Sequence, residues 1–232
     1  MRLQMENKVH EMEEEIYRQA KEKYPHYAAS EDLERAKELF ESLGDYESAK
    51  IYVGKCDTLL RFMLGKQVTL GSWEGEPIHW RVMDMRGRLR MLTTEKSLIR
   101  RPYHDRVEDA TWQQCDLRKW LNGPFLNSCF SPLERRHIVP TKIPNPRNPK
   151  FYSDAGQDTM DKVSVMNIEE VERYFPEPER RAGDGWWWVR CPGSNLFSAV
   201  AVYEDGSIYY AGIHIDYAQG GVRPVIWVLL NV

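Results

Sequence analysis

Cys191, set between Arg190 and Pro192, is the residue best suited to act as a nucleophile, and His214 is the imidazole that would deprotonate it. A thiol needs such a base within hydrogen-bonding reach and a lowered pKa before it can attack a substrate. A free cysteine is far more often a small buried apolar residue, and that is the reading preferred for Cys191. His104, beside Asp105, and His137 are single histidines with no partner at ligand spacing, expected to be surface or capped residues. Asp154, Asp158 and Asp161 share one loop, where an ion would bind only adventitiously. Gly183, Asp184 and Gly185 form too short a run for a phosphate-binding loop, and a strand comes after them where such a loop needs a helix. The four cysteines form no CxxC pair, so neither a zinc ribbon nor a disulfide scaffold is expected. The residues predict no catalytic group, no metal and no cofactor.

The chemistry that remains is adhesive. Between 186–190 and 221–227 lie Ser194, Asn195, Leu196, Phe197, Tyr209, Tyr210, Ile213, His214, Asp216 and Tyr217. Tyrosines among small residues are the composition of antibody-like paratopes, where a stiff amphipathic ring gives contact area at low entropic cost. Trp186 and Arg190 complete the candidate ligand-binding set. In the run Trp186-Trp187-Trp188, alternation puts 186 and 188 on one face and 187 on the other, with Trp186 expected to be the exposed ring. β-propensity alone would also favour Tyr and Ile in a hairpin whose side chains face a core. Arg223 is expected to fasten loops internally.

Two regions must position these residues. Residues 1–65 hold ten Lys/Arg against fourteen Asp/Glu, no Trp and one Pro, whereas 66–232 contain all eight Trp and are nearly neutral. Met5, Val9, Met12, Ile16 and Ala20 recur at helical spacing. Ser30 is expected to cap a second helix with Leu33, Ala36, Phe40 and Leu43 inward and Gly44 past its end. Asp45 is expected to cap a third. From Val68 the pattern turns to short strands: 68–70, 78–82, 89–92, 186–190, 198–203, 207–210 and 222–230. Thr111-Trp112-Gln113-Gln114, Ser131-Pro132-Leu133-Glu134 and 167–170 have capping-box spacing, and Pro124 suits a first helical position. A long polar loop spans 140–161, and loops of that length are usually functional or mobile.

A net charge of −3 over 232 residues argues against a nucleic-acid footprint. No apolar run is long enough to span a membrane, and the first residues lack the pattern of a secretory signal. With unpaired cysteines, the expected setting is the cytoplasm.

The order of anchors resembles a family of bacterial domains of unknown function. Those anchors are Ile78-His79-Trp80-Arg81-Val82, Thr111-Trp112, Leu117-Arg118 with Trp120-Leu121-Asn122, and Phe125-Leu126 with Phe130-Ser131. Trp187-Trp188-Val189-Arg190, Pro192-Gly193, Asp205-Gly206 and Gly221-Val222-Arg223-Pro224 complete it. The closing block is similar to that of C-type-lectin-like domains, a group including formylglycine-generating enzymes and the variable proteins of diversity-generating retroelements. The resemblance implies an α+β, C-type-lectin-like domain over 66–232, with early strands beside the last one and a ligand surface just before the ending. It implies a protein or other macromolecular ligand. In the diversified proteins, adenines of AAC codons are randomised, which excludes Met, Trp, Gln, Lys and Glu; the stretch 205–218 contains none of these. The resemblance does not extend to the copper-binding cysteine pair of formylglycine-generating enzymes or the Trp-Asn-Asp run of calcium-binding lectins. An enzyme of the formylglycine-generating type, using Cys191 and His214, is the alternative. Residues 36–49, Ala36-x-x-Leu39-Phe40-x-x-Leu43-Gly44-Asp45-Tyr46-x-x-Ala49, resemble the turn of a tetratricopeptide-like repeat. The resemblance covers little more than one repeat, too few to stand alone, so the N-terminal helical appendage at 1–65 is expected to pack on its own domain or on a partner. A helical collar that has no ligand is the preferred reading, with self-association, attachment or adaptor contact as the alternatives.

Overall fold

The structure is a computed structural model describing residues 2–24 and 30–232. Met1 and 25–29 of the expected helical segment lie outside the described residues. Three helices come first: α1 (Arg2–Lys23), α2 (Ser30–Ser42) and α3 (Ala49–Arg61). α2 and α3 close on each other because their apolar stripes meet. Leu33, Ala36 and Phe40 are buried on one, and Ala49, Cys56 and Leu59 on the other. Phe40 stacks on Tyr52 at 4.9 Å between centroids. Gly44 comes just after α2 with φ 58°, a conformation costly to any residue with a Cβ. Asp45 does not cap α3; it pairs with Lys50, and the cap position falls to Ser48. Along α1 only the C-terminal end of the stripe is packed: Ala20 is buried, whereas Met5, Val9 and Met12 are exposed.

The helices are fastened to the strand-rich region. Leu33 and Leu59 belong to the same hydrophobic core as Ile78, Trp80 and Val82. The Gly65 N–H donates to the Val82 carbonyl at 2.8 Å, and Arg90 Nε donates to the Phe62 carbonyl at 2.8 Å.

Strands β1 (Gln67–Trp73), β2 (Glu76–Arg86), β3 (Leu89–Thr93) and β4 (Ile99–Arg100) come next. Then come α4 (Asp116–Trp120), a π-helical turn (Leu121–Phe125), α5 (Leu126–Cys129) and α6 (Pro132–His137). The capping box at Ser131 is present: Ser131 Oγ accepts the Glu134 N–H at 3.3 Å, and Glu134 accepts the Ser131 N–H at 2.7 Å. The one at Thr111 is not. Gln114 does reach back to the Thr111 N–H, but the helix starts later, with the Cys115 sulfur accepting the Arg118 N–H. Pro124 sits inside the π-helical turn and not at a helix start.

The 140–161 segment contains an antiparallel pair, β5 (Thr141–Ile143) with β6 (Thr159–Asp161). After β7 (Val163–Ser164), Asn167 and Glu170 form the expected capping box on α7 (Ile168–Tyr174). α8 (Pro178–Arg181), β8 (Trp187–Pro192), β9 (Ser198–Val202), β10 (Ile208–His214), β11 (Gly221–Val222) and β12 (Val225–Leu229) complete the chain.

The result is α+β: three N-terminal helices, then two five-stranded sheets ordered β1-β2-β3-β12-β7 and β10-β9-β8-β11-β4. The last strand lies beside an early one, β12 antiparallel to β3 with Val225 opposite Thr93. The single strand expected over 222–230 breaks at Arg223-Pro224, where the chain leaves one sheet for the other. Pro224 has no N–H to give either ladder. β12 is central, so both its faces are covered. Ile226 and Val228 join the first core; Val225 and Trp227 join a second with Trp187, Val189, Val200 and Val171. No described helix is long and apolar enough to cross a membrane.

Candidate functional site

β9 and β10 form the hairpin that carries the adhesive residues, and β10 is the edge of its sheet. Its tip turns through Gly206 at φ 82°. The pairing slips between Tyr209 and Ile213, where Gly212 also has φ 82°. The bulge lets β10 lie almost on top of the 193–197 loop. A Cβ at Gly193 would collide with the Ala211 carbonyl oxygen and the Ser198 hydroxyl. The Ser194 N–H donates to the same Ala211 carbonyl at 2.8 Å. Asn195 shapes the loop from inside it, its Oδ1 accepting the Phe197 N–H at 3.0 Å. Ile215 N–H donates to the Phe197 carbonyl at 3.1 Å, which ties the segment after β10 to this loop.

The candidate residues divide. Phe197, His214 and Tyr217 are exposed, Tyr217 by 54%, and the His214 and Tyr217 rings stack at 5.9 Å. Ser194 and Asn195 are exposed beside them. At the far end of β10, Tyr209 is exposed and stacks on Tyr203 at 5.1 Å. Leu196 and Asp216 are half-buried. Ile213 is half-buried too, packed against the first core as the hairpin-core alternative anticipates. Tyr210 packs against the second core. Its hydroxyl donates to Glu172 at 2.8 Å, and Lys150 lies 3.7 Å from its ring centre. Burial first, then the Glu172 carboxylate, pushes the Tyr210 pKa up to about 12. Trp186 is half-buried rather than displayed, edge-on to Trp188 at 4.7 Å.

Arg190 does not reach the surface. It is 1% exposed, and its guanidinium donates to the Pro144 and Val165 carbonyls and to both oxygens of Glu170. A desolvated charge needs such partners, and here they clamp the start of α7 to β8. His104 is also buried, held between Glu108 and Asp116 at 3.0 and 2.8 Å, so of the two expectations it is the capped histidine and not the surface one. Asp161 is no ion ligand: it is buried and takes hydrogen bonds from Trp112, Thr159 and Arg118. Among the described residues no cluster of His, Cys, Asp or Glu is arranged to hold a metal.

Cys191 lies in the second core with Met166 and Val200, and burial pushes its thiol up to about 11. Burial outweighs the nearby Arg190 charge, and His214 is out in solvent. That combination keeps the sulfur protonated near neutrality, the opposite of what a nucleophile requires.

One flank of this surface has almost no signature in the sequence. Asn148 is fully buried, its Nδ2 donating to the Pro192, Gly193 and Tyr210 carbonyls and its Oδ1 accepting the Lys150 and Phe151 N–H groups. Ser153 Oγ donates to the Gly193 carbonyl. Between these two anchors Phe151 and Tyr152 project outward, Tyr152 74% exposed with φ 57°. A bulky residue in the left-handed region is a strained outlier, and such outliers concentrate at sites where something must be held out. The length of the 140–161 loop is the only signal of it in the sequence.

No curated protein and no solved structure matches the chain. Residues 89–230, more than half of it, match the model of a family described as Domain of unknown function (DUF6273), which begins at β3 and leaves α1, α2, α3, β1 and β2 outside. The chain therefore belongs to the DUF6273 family.

Proposed function

We propose that the protein is a non-enzymatic binding protein, whose late hairpin and neighbouring loops present an aromatic surface to a protein or other macromolecular ligand. The observation that carries this reading is the contrast between outward rings and fixed backbone. Phe197, His214, Tyr217 and Tyr152 face solvent, while Gly193, Asn148 and Ser198 lock the chain beneath them. Rings that are already ordered lose little entropy on binding. The scaffold is read as C-type-lectin-like, supported by the last strand lying beside an early one and by the irregular segment just before it. Diversification by a retroelement rests on the composition of 205–218. It is checked in the gene: a near-copy of the codons for 190–222, differing at adenines, beside a reverse-transcriptase gene. The helices supply attachment, as self-association or contact with an adaptor, and the exposed Met5, Val9 and Met12 of α1 support that role. The experiment is ligand capture by Phe197→Ala, His214→Ala and Tyr217→Ala variants with melting recorded in parallel. Lost capture at unchanged melting temperature supports the reading; a fall of several degrees in each marks these residues as core.

A further inference from the structure

Three arginines are buried among the described residues, and they differ in how their donors are used. Arg190 gives hydrogen bonds from all three guanidinium nitrogens, and Arg90 bonds the Phe62, Gly87 and Leu89 carbonyls. Arg223, only 3% exposed, gives one: Nε to the Thr94 carbonyl at 3.1 Å. Its guanidinium carbon lies 4.5 Å from the ring centre of Phe175 and 4.7 Å from that of Trp187. Two aromatic rings at that distance attract the cation and offer its Nη groups no hydrogen-bond acceptor. Neither Nη has a hydrogen-bond or ion-pair partner among the described residues, and Arg223 helps to line a cavity of about 350 Å³. Burial pulls the Arg223 pKa down to about 10, with Glu95 opposing the shift, so the group stays charged at neutral pH.

The rest of the wall narrows the ligand. Arg81 is already engaged by Glu95 and by the Gly65 carbonyl. Arg180 stands exposed at the rim, 3.7 Å from Glu177. Met83 and Phe175 supply apolar surface. A guanidinium edge with two free N–H groups matches the two oxygens of a planar oxyanion. Glu95 in the same wall disfavours a doubly charged one. The apolar walls and the volume suit a small organic body. We propose that this pocket, at the corner where the chain passes from β11 to β12, binds a singly charged organic carboxylate through Arg223, with its apolar body against Phe175 and Met83. It shares no lining residue with the aromatic surface, so either site stands if the other fails.

The test is a titration of the full-length protein with 3-phenylpropanoate, monitored through the Trp187 indole N–H resonance. The expected result is saturable binding with a dissociation constant of about 1 mM or tighter, and at least about tenfold weaker binding of the neutral amide. Inorganic phosphate is expected not to compete. N-acetylphenylalanine, titrated alongside, separates the sources of the carboxylate: tighter binding than 3-phenylpropanoate indicates a peptide carboxyl terminus, weaker binding a free organic acid. Arg223→Met is expected to abolish saturation, and Met83→Trp, which fills the cavity from a half-buried position, to weaken binding at least about tenfold with the fold kept. If Arg223→Met does not fold, Met83→Trp decides. Failure of every carboxylate to saturate the wild-type protein, equal binding of the amide, preference for phosphate, or unchanged binding by folded Met83→Trp each overturns the proposal.

Discussion

Tyr210 and Tyr217 are seven positions apart and have opposite roles. Tyr217 has one stacked neighbour, whereas Tyr210 has a core, a carboxylate and an ammonium around it. Replacing Phe197, His214 or Tyr217 by Ala is expected to change unfolding free energy by no more than about 0.5 kcal/mol, whereas Tyr210→Ala costs about 1–3 kcal/mol. Denaturant melts of the four variants check the split. Cys191 gives a second test at this scale. With its pKa near 11 and the side chain in the second core, alkylation of the native protein at pH 7.5 is expected to be slow and to become fast only on unfolding. Timed mass spectrometry with and without denaturant measures this. Fast native labelling would revive the thiol chemistry that the residue types alone leave open. What separates Arg190 from the displayed residues is not visible in local sequence, because its partners, Pro144, Val165 and Glu170, come from three other segments.

Among elements, the 147–153 loop and α6 are each tied down by named side chains. Tyr152 holds a positive φ between Asn148 and Ser153. Tyr152→Gly relieves that conformation and is expected to leave stability unchanged or raise it by about 1 kcal/mol, while weakening ligand capture. Asn148→Ala strips five hydrogen bonds from a buried site and is expected to cost about 2–4 kcal/mol, read from thermal melts. α6 is tied to β1 through Glu134, which accepts the Gly71 N–H at 2.9 Å as well as the Ser131 N–H. Burial would raise this carboxyl, but its hydrogen bonds with Ser131 and Gly71 outweigh that, and its pKa falls below the usual value. A carboxyl depressed in the folded state stabilises fully above its unfolded pKa of about 4.3 and loses that contribution as pH falls through the folded value. Glu134→Gln is thus expected to lower the melting temperature at pH 7 and to narrow the gap between pH 7 and pH 3. The capping boxes at Ser131 and Asn167 were legible because both partners sit within one turn. The start of α3 was not, since Asp45 and Ser48 are both good caps and the turn geometry chooses between them.

For the whole molecule, periodicity carried the α+β character and the helical stripe of α2. It could not show that residues of α2 and α3, Leu33 and Leu59, complete the core beneath β2, because nothing in either pattern names the other. Removing residues 1–64 is accordingly expected to leave a β-region with an uncovered apolar face and a lower melting temperature, which calorimetry of the truncated chain tests. The rigid scaffold and the outward rings lead to one decisive measurement. The triple variant Phe197→Ser, His214→Ser, Tyr217→Ser should be compared with the wild-type protein for retention of the ligand that the wild type captures, with the melting temperature of each recorded. The account predicts that capture is lost while melting shifts by no more than about 4 °C, equivalent to roughly 1 kcal/mol in a chain of this size. Undiminished capture, or a melting temperature many degrees lower, would contradict it.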